Sequence, residues 1–423
     1  MSQSVPAPSS ERPQRVAIVG AGMVGLSTAW FLQEHGVEVT VFDRSHVAAG
    51  ASWGNAGWLT PGIATPLPEP AVLKYGVKAV LSPSSPVYVP PTTNRSLLRF
   101  MMGFARHSTA AGWKRAMGSL VPVNRMALES FDALHDGGVA APTYPATPFL
   151  AAYRTAEERT VLLEEISHIH EAGQGIDFDV LTGAEARAEE PSLSGEIGAA
   201  IRLHGQRFIN PGEFVNSLAD SVRERGGKIE EGADVAHVDT APGRATVILA
   251  NGSREDFDTV VLATGTWLNK LARQYGIRLV VQAGRGYSFS VPVEHLPSGP
   301  IYFPQERVAC TPLGDRLRVA GMMEFRSPSA PLDQRRIKAI VTAARPLLRG
   351  VDLDQRQDDW VGSRPCTRDG LPLIGATTSS QVYVAGGHGM WGITLGPVTG
   401  RLLAEQIVTG RAPAELAPFN PLR

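Results

Sequence analysis

The chain has 423 residues, of which 43% are hydrophobic and 19% charged, with a formal net charge of −1 and two cysteines. That length can bury about two or three cores, while the balanced charge without an arginine-rich block excludes a nucleic-acid footprint. Two cysteines are too few for a disulfide framework or a cysteine zinc site, which fits a reducing, cytoplasmic setting.

Residues 1–13 are polar and proline-rich and read as a disordered tail rather than a signal peptide or anchor. The run RVAIVGAGMVGLSTAWFLQEHGVEVTVFDR from Arg15 to Arg44 then predicts a strand, a helix and a second strand with glycines in the first turn. Gly20 makes the tight turn, Gly22 admits backbone to a pyrophosphate beside Met23 and Val24, and Gly25 lets helix pack on strand. A diphosphate would sit on the free N–H groups at the helix start. Asp43, next to Arg44, ends the second strand where it can accept from both ribose hydroxyls and repel a 2′-phosphate, which favours FAD or NAD over NADP. The following stretch, Gly50-Ala51-Ser52-Trp53-Gly54-Asn55-Ala56-Gly57, is too poor in bulk to pack a core alone. It suits close backbone approach to a flavin nucleotide, with Ser52 and Asn55 as side-chain donors or acceptors; a plain flexible loop is the alternative.

Prolines crowd residues 60–91, with one short helix expected over 71–81, and mark an excursion from the first domain. SLLRFMMGFAR over 96–106, from Ser96 to Arg106, is amphipathic and edged by Arg95, Arg99 and Arg106. It either packs on its own domain with snorkelling arginines or lies on an anionic membrane surface. Helices are expected over 120–135, 156–173, 213–225 and 333–348, and a short one after Thr182 as N-cap. Strands are expected over 147–153, 233–238, 245–249 and 258–263. Val235 in the second of these offers backbone to an adenine edge, and the last ends at Thr264 and Gly265, as a strand returning to a nucleotide site should. No apolar run of about eighteen residues occurs, so no ordinary transmembrane helix is expected.

The C-terminal segment carries Gly362-Ser363-Arg364-Pro365, Asp369-Gly370, and a strand over 382–385. The loop Gly386-Gly387-His388-Gly389-Met390-Trp391-Gly392-Ile393-Thr394 then opens a helix expected over 398–408. A glycine-dense loop leading into a helix is a second site for negative charge; Gly387, His388, Gly389, Gly392, Ile393 and Thr394 are therefore assigned to the cofactor.

These pieces together resemble the FAD-dependent superfamily of D-amino-acid oxidase, glycine oxidase and sarcosine oxidase, with bacterial D-amino-acid dehydrogenase the nearest branch. The Asn55-Ala56-Gly57 and Thr60-Pro61-Gly62 pieces favour the dehydrogenase branch; Leu73-Lys74, Ser85-Pro86 and Gly286-Tyr287-Ser288 extend the match. The resemblance implies an α/β FAD-binding Rossmann-like domain of the glutathione-reductase type and a second α+β substrate domain on a mainly antiparallel sheet. The expected division is 14–75, 205–278 and 360–423 for FAD, and 76–204 and 279–359 for substrate.

It also implies that Arg364 grips a substrate carboxylate bidentately, unless it pairs with an internal acid such as Asp369. Tyr287 becomes a second anchor or lid and His388 a contact to flavin or substrate, with core packing the alternative for each. Cys366 does not match the cysteine that binds flavin covalently in sarcosine oxidases, so noncovalent FAD is expected and no metal. The implied reaction is hydride transfer from a D-amino acid to flavin, with electrons leaving to a quinone or other carrier. Proline or hydroxyproline dehydrogenase or oxidase is the rival of the same class, and a non-catalytic FAD-binding accessory protein the rival of another.

Overall fold

The computed structural model describes residues 12–70, 85–90 and 92–423. Most of the expected tail, the short helix at 71–81, and Leu73 and Lys74 lie outside the described residues.

One sheet has six strands in the order Lys228–Glu230, Glu38–Phe42, Arg15–Val19, Thr259–Leu262, Val382–Gly386, Leu373–Ala376. All neighbours are parallel except the last pair. In the central strand Val16 and Ile18 face a helical layer, while Ala17 and Val19 face an antiparallel sheet of Val235–Ala241, Arg244–Leu249 and Arg254–Phe257. A strand covered on both faces reads as a continuous apolar run, which is how this one stands in the sequence. The helical layer is Met23–Glu34, Ala110–Asp136, Pro211–Glu224 and Gly396–Thr409, which contribute Leu26, Leu120, Phe214 and Leu403 to one buried cluster. Each such side chain contributes about 1.5–3 kcal/mol on burial. At the turn between Arg15–Val19 and Met23–Glu34, Gly20 holds φ +116°, and a Cβ there would stand 2.5 Å from the Ala263 carbonyl oxygen. Only glycine fits.

A second large sheet has nine strands among the described residues. Its path runs Gln357–Cys366, Gln282–Val291, Arg316–Phe325, Val308–Leu313, Ile301–Phe303, Phe149–Tyr153, Ala199–Leu203, Phe178–Thr182, and Val87–Tyr88 pairs with Arg316–Phe325. Pairing is antiparallel apart from Ile301–Phe303 on Phe149–Tyr153 and the Val87–Tyr88 contact. Helices Ala156–Glu171 and Gly183–Glu189 both start in capping boxes, Thr155 with Glu158 and Thr182 with Glu185, as the expected Thr182 N-cap requires.

Two expectations change, and one is refined. The boundary drawn at 360 falls inside Gln357–Cys366, which pairs with Gln282–Val291 from Gln282↔Cys366 to Ser290↔Gln357. Gly362 and Pro365 disguise this strand, since both residues are uncommon in strand interiors. The helix expected at 120–135 begins at Ala110, and its buried Leu120, Val123, Ala127 and Phe131 join the core of the six-stranded sheet rather than that of the substrate domain. Gly112 and Pro122 hide its first half, and burial of Trp113 and Met117 overrides their low propensity. The strand expected at 233–238 is Val235–Ala241, the first of the small antiparallel sheet.

Candidate active site

A cleft of about 690 Å³ opens at the carboxyl ends of the parallel strands, where open α/β sheets hold their ligands. Gly20, Gly22, Met23, Val24 and Gly25 line its floor, with Asp43, Arg44, Ala51, Ser52 and Asn55 beside them. Val235, Thr264 and Gly265 form another wall, and His388, Gly389, Gly392 and Ile393 a third. The Asp43 carboxylate accepts from the backbone N–H of Ala21 at 2.9 Å and of Ser45 at 2.8 Å. It braces the glycine turn and has lone pairs left for a ribose. The Arg44 guanidinium lies 3.7 Å over the Trp267 ring.

The cleft fits a dinucleotide on two counts. A Cβ on Gly22 would meet only the Ser52 hydroxyl, at 3.3 Å, so the space above the helix start is open to a ligand rather than filled by protein. The buried hydroxyls of Thr264 and Thr266, both in the cleft wall, have no hydrogen-bond partner among the described residues, and buried polar groups of that kind ask for one. Four assigned residues stand elsewhere. Gly57, at φ +80°, is packed on the Ile209 carbonyl, and Gly387 is packed on Thr367, so neither lines the cleft. Ala56 and Thr394 line a second cavity instead, where the Thr394 hydroxyl donates to the Trp58 carbonyl at 2.9 Å.

Arg364 lines both spaces. Its Nη1 donates to the Met322 carbonyl at 2.7 Å and has no carboxylate within 4.0 Å among the described residues. Asp369, the internal partner weighed above, is taken by Arg423, with Nε to Oδ2 at 2.9 Å. Desolvation lowers the Arg364 pKa from the ordinary arginine value. An unpaired guanidinium in such a place asks for an anion. Its strand neighbour leaves the room: a Cβ on Gly286 would fall within the guanidinium itself. Trp360, two residues before Gly362, fills the space over both Gly362 and Gly54, wedging the cofactor-side loop against the strand that carries Arg364.

His388 is 4% exposed, its Nε2 lies 2.9 Å from the Thr399 hydroxyl, and burial pushes its pKa down to about 4. Tyr287 contributes to the wall of the second cavity, but its hydroxyl donates to buried Glu324 at 2.6 Å, and Glu324 also pairs with Arg285 at 3.3 Å. That commitment favours the packing alternative: the tyrosine is part of a buried network.

The second cavity, about 240 Å³, holds residues that sequence reading missed. Trp58, Tyr302, Glu69, Glu165 and Arg307 face it together with Trp391 and Arg364. Thr65 donates to Glu165 at 3.3 Å, and Arg307 stands 3.9 Å from Glu69. Glu165 had a legible signal: on the helix Ala156–Glu171 it shares the inward face of Leu162, Ile166 and Ile169, where an acid is out of place.

The chain is 30% identical over 411 residues to D-amino acid dehydrogenase of Cereibacter sphaeroides, covering 94% of this chain and 92% of the relative. It superposes on glycine oxidase from Geobacillus kaustophilus with TM-score 0.72 at 22% identity, covering 98% of this chain and 99% of the other. Glycine oxidase from Bacillus cereus gives TM-score 0.70 at 22% identity, covering 94% and 96%. The family model described as FAD dependent oxidoreductase, DAO, matches residues 15–406, and the chain belongs to that family of FAD-dependent oxidoreductases.

Proposed function

We propose that this enzyme oxidises D-amino acids at the α carbon, giving imino acids that water hydrolyses to 2-oxo acids and ammonia, and that the electrons pass to a quinone or another acceptor other than oxygen. The observation that carries the reading is Arg364, a guanidinium with no acid opposite it, standing where the dinucleotide cleft and the second cavity meet. The D configuration and the acceptor rest on the name of the 30% identical relative.

FAD, when bound, supplies the hydride acceptor. The Arg364 fork grips the substrate carboxylate and fixes the α carbon at the mouth of the cleft, converting an encounter into an oriented pair. His388 stays neutral at physiological pH, so it adds no positive charge beside the reacting carbon. The helix Gly396–Thr409 begins three residues after Ile393 of the cleft wall, and its positive end favours negative charge there. No side-chain base is needed when the amine enters neutral. Among the described residues no cysteine lines the cleft, and burial pushes the Cys366 thiol up to about 12, which supports noncovalent FAD.

We assign the peripheral contact with a membrane carrier to the outer face of helix Arg95–His107, on the cytoplasmic side. Leu97, Phe100 and Phe104 pack inward against Met323 and Phe325, while Leu98 and Met102 are 47% and 60% exposed among the arginines. Among the described residues no helix is long and apolar enough to cross a membrane.

The test is the visible spectrum of FAD-loaded protein under nitrogen with D- and L-amino acids, sarcosine and cis- and trans-hydroxyproline. Loss of the flavin band near ~450 nm with D-amino acids supports the reading. Bleaching by cyclic secondary amines alone moves it to a proline-type dehydrogenase, and bleaching by none removes it.

A further inference from the structure

The second cavity is lined by two sets of charged groups together with apolar walls. Arg364 stands on the side shared with the dinucleotide cleft. In the other set, Glu165 and Glu69 act on each other, with Arg307 3.9 Å from Glu69 and Thr65 bonded to Glu165. Arg364, Glu165 and Glu69 all line this cavity, and neither glutamate is ion-paired with Arg364 among the described residues. Ile63, Leu162, Trp58, Trp391 and Met390 supply the walls.

From this geometry we infer that the enzyme's preferred substrates are α-amino acids with an amine or guanidinium at the end of a methylene side chain, the cation seated between Glu165 and Glu69. The inference rests on the proposed amino-acid oxidation and names the substrate class of that same site.

Charge balance supports the cation. Two carboxylates face one arginine, so with both acids ionised the cluster holds one negative charge in excess, and buried charges of that kind are paired or neutralised. Without ligand, a proton takes that place. Desolvation and the neighbouring Glu165 push Glu69 up to about 7, and desolvation raises Glu165, with Arg307 opposing both shifts and the Thr65 hydrogen bond opposing that of Glu165. The remaining titratable neighbours, Tyr302 and Tyr153, are both raised by burial and stay neutral. A substrate ammonium would replace the proton. A neutral chain of equal length would leave this end unpaired, and sites built to pair a polar group reject analogues that lack it.

The experiment is anaerobic stopped-flow reduction of the FAD-loaded enzyme by D-lysine, D-arginine, D-norleucine, D-glutamate and D-alanine, reading apparent Kd and limiting rate separately. D-lysine or D-arginine is expected to bind at least ten-fold more tightly than D-norleucine, and D-glutamate to bind worst. Glu165→Gln, and independently Glu69→Gln, should each cut the lysine-to-norleucine preference at least ten-fold, with retained FAD absorbance reporting a folded protein. Reduction by D-alanine or D-norleucine with equal or weaker binding of the basic amino acids overturns this inference and leaves the proposed reaction standing. So does a preference that survives both substitutions. No reduction by any amino acid removes both.

Discussion

Arg364 lies diagonally across the paired strands from Gly286, each in register with a glycine, Gly284 and Gly362, and the space left by the glycine's absent side chain is where the guanidinium reaches. Gly286→Ala is therefore expected to move Arg364 without unfolding the sheet. The FAD spectrum should persist while kcat/KM for the amino acid falls about 100-fold, the scale on which a misplaced binding group costs rate. Unchanged kcat/KM would show that the arginine does not need this position.

Removing the guanidinium is the sharper change. Arg364→Ala should cost about 3–5 kcal/mol in kcat/KM, because the substrate carboxylate enters a desolvated place with no partner. Arg364→Lys should recover only part, since an ammonium cannot match the bidentate fork. Activity of the alanine variant within threefold of the parent would sink the anchor assignment.

The open space over Gly22 gives a test on the cofactor side. Gly22→Val should yield a folded but colourless protein that does not regain FAD on reconstitution, because only the Ser52 hydroxyl, 3.3 Å from the added carbon, stands near it in the protein itself. Circular dichroism should match the parent. A yellow variant of normal affinity would mean that the phosphates bind elsewhere.

His388 sets a pH dependence of stability. Its folded pKa of about 4 lies below the ordinary 6.5, so the folded state refuses a proton that the unfolded chain accepts. The contribution is fully present above pH 6.5 and is lost as pH falls through 4, a change of about 3 kcal/mol at most. Urea titrations at pH 7 and pH 4 should show a smaller loss of stability for His388→Gln than for the parent. Equal losses would place the imidazole in water.

The parts of the site legible in sequence are those whose partners lie close along the chain. Gly20 to Gly25 and Asp43 sit in one strand-helix-strand unit, so their spacing alone carries the turn and the ribose acid. Arg364 was found through its motif and the resemblance, and its freedom from Asp369 was decided by Arg423, 54 residues further on. The choice between anchor and packing at Tyr287 could not be made in sequence, because Glu324, which holds its hydroxyl, comes from the neighbouring strand 37 residues away. Glu69, Glu165, Tyr302 and Arg307 come from four separate elements, and no local period joins a proline-rich loop to a helix and a β-turn. Gly57 and Gly387 share the composition of the cofactor loops but serve close packing, which composition cannot distinguish from close approach to a ligand.

The Trp360 wedge between Gly54 and Gly362 has a thermodynamic consequence. The loop bearing Ser52 and Asn55 and the strand bearing Arg364 are already locked together, a lock reinforced by the Ser288 hydroxyl on the Gly54 carbonyl at 2.8 Å. The distance from the dinucleotide cleft to Arg364 is thus fixed during folding, and its ordering entropy is not charged to each arriving ligand. Side chains at the far end of the cavity can then be exchanged through evolution, retuning what is oxidised while the reacting geometry is inherited intact.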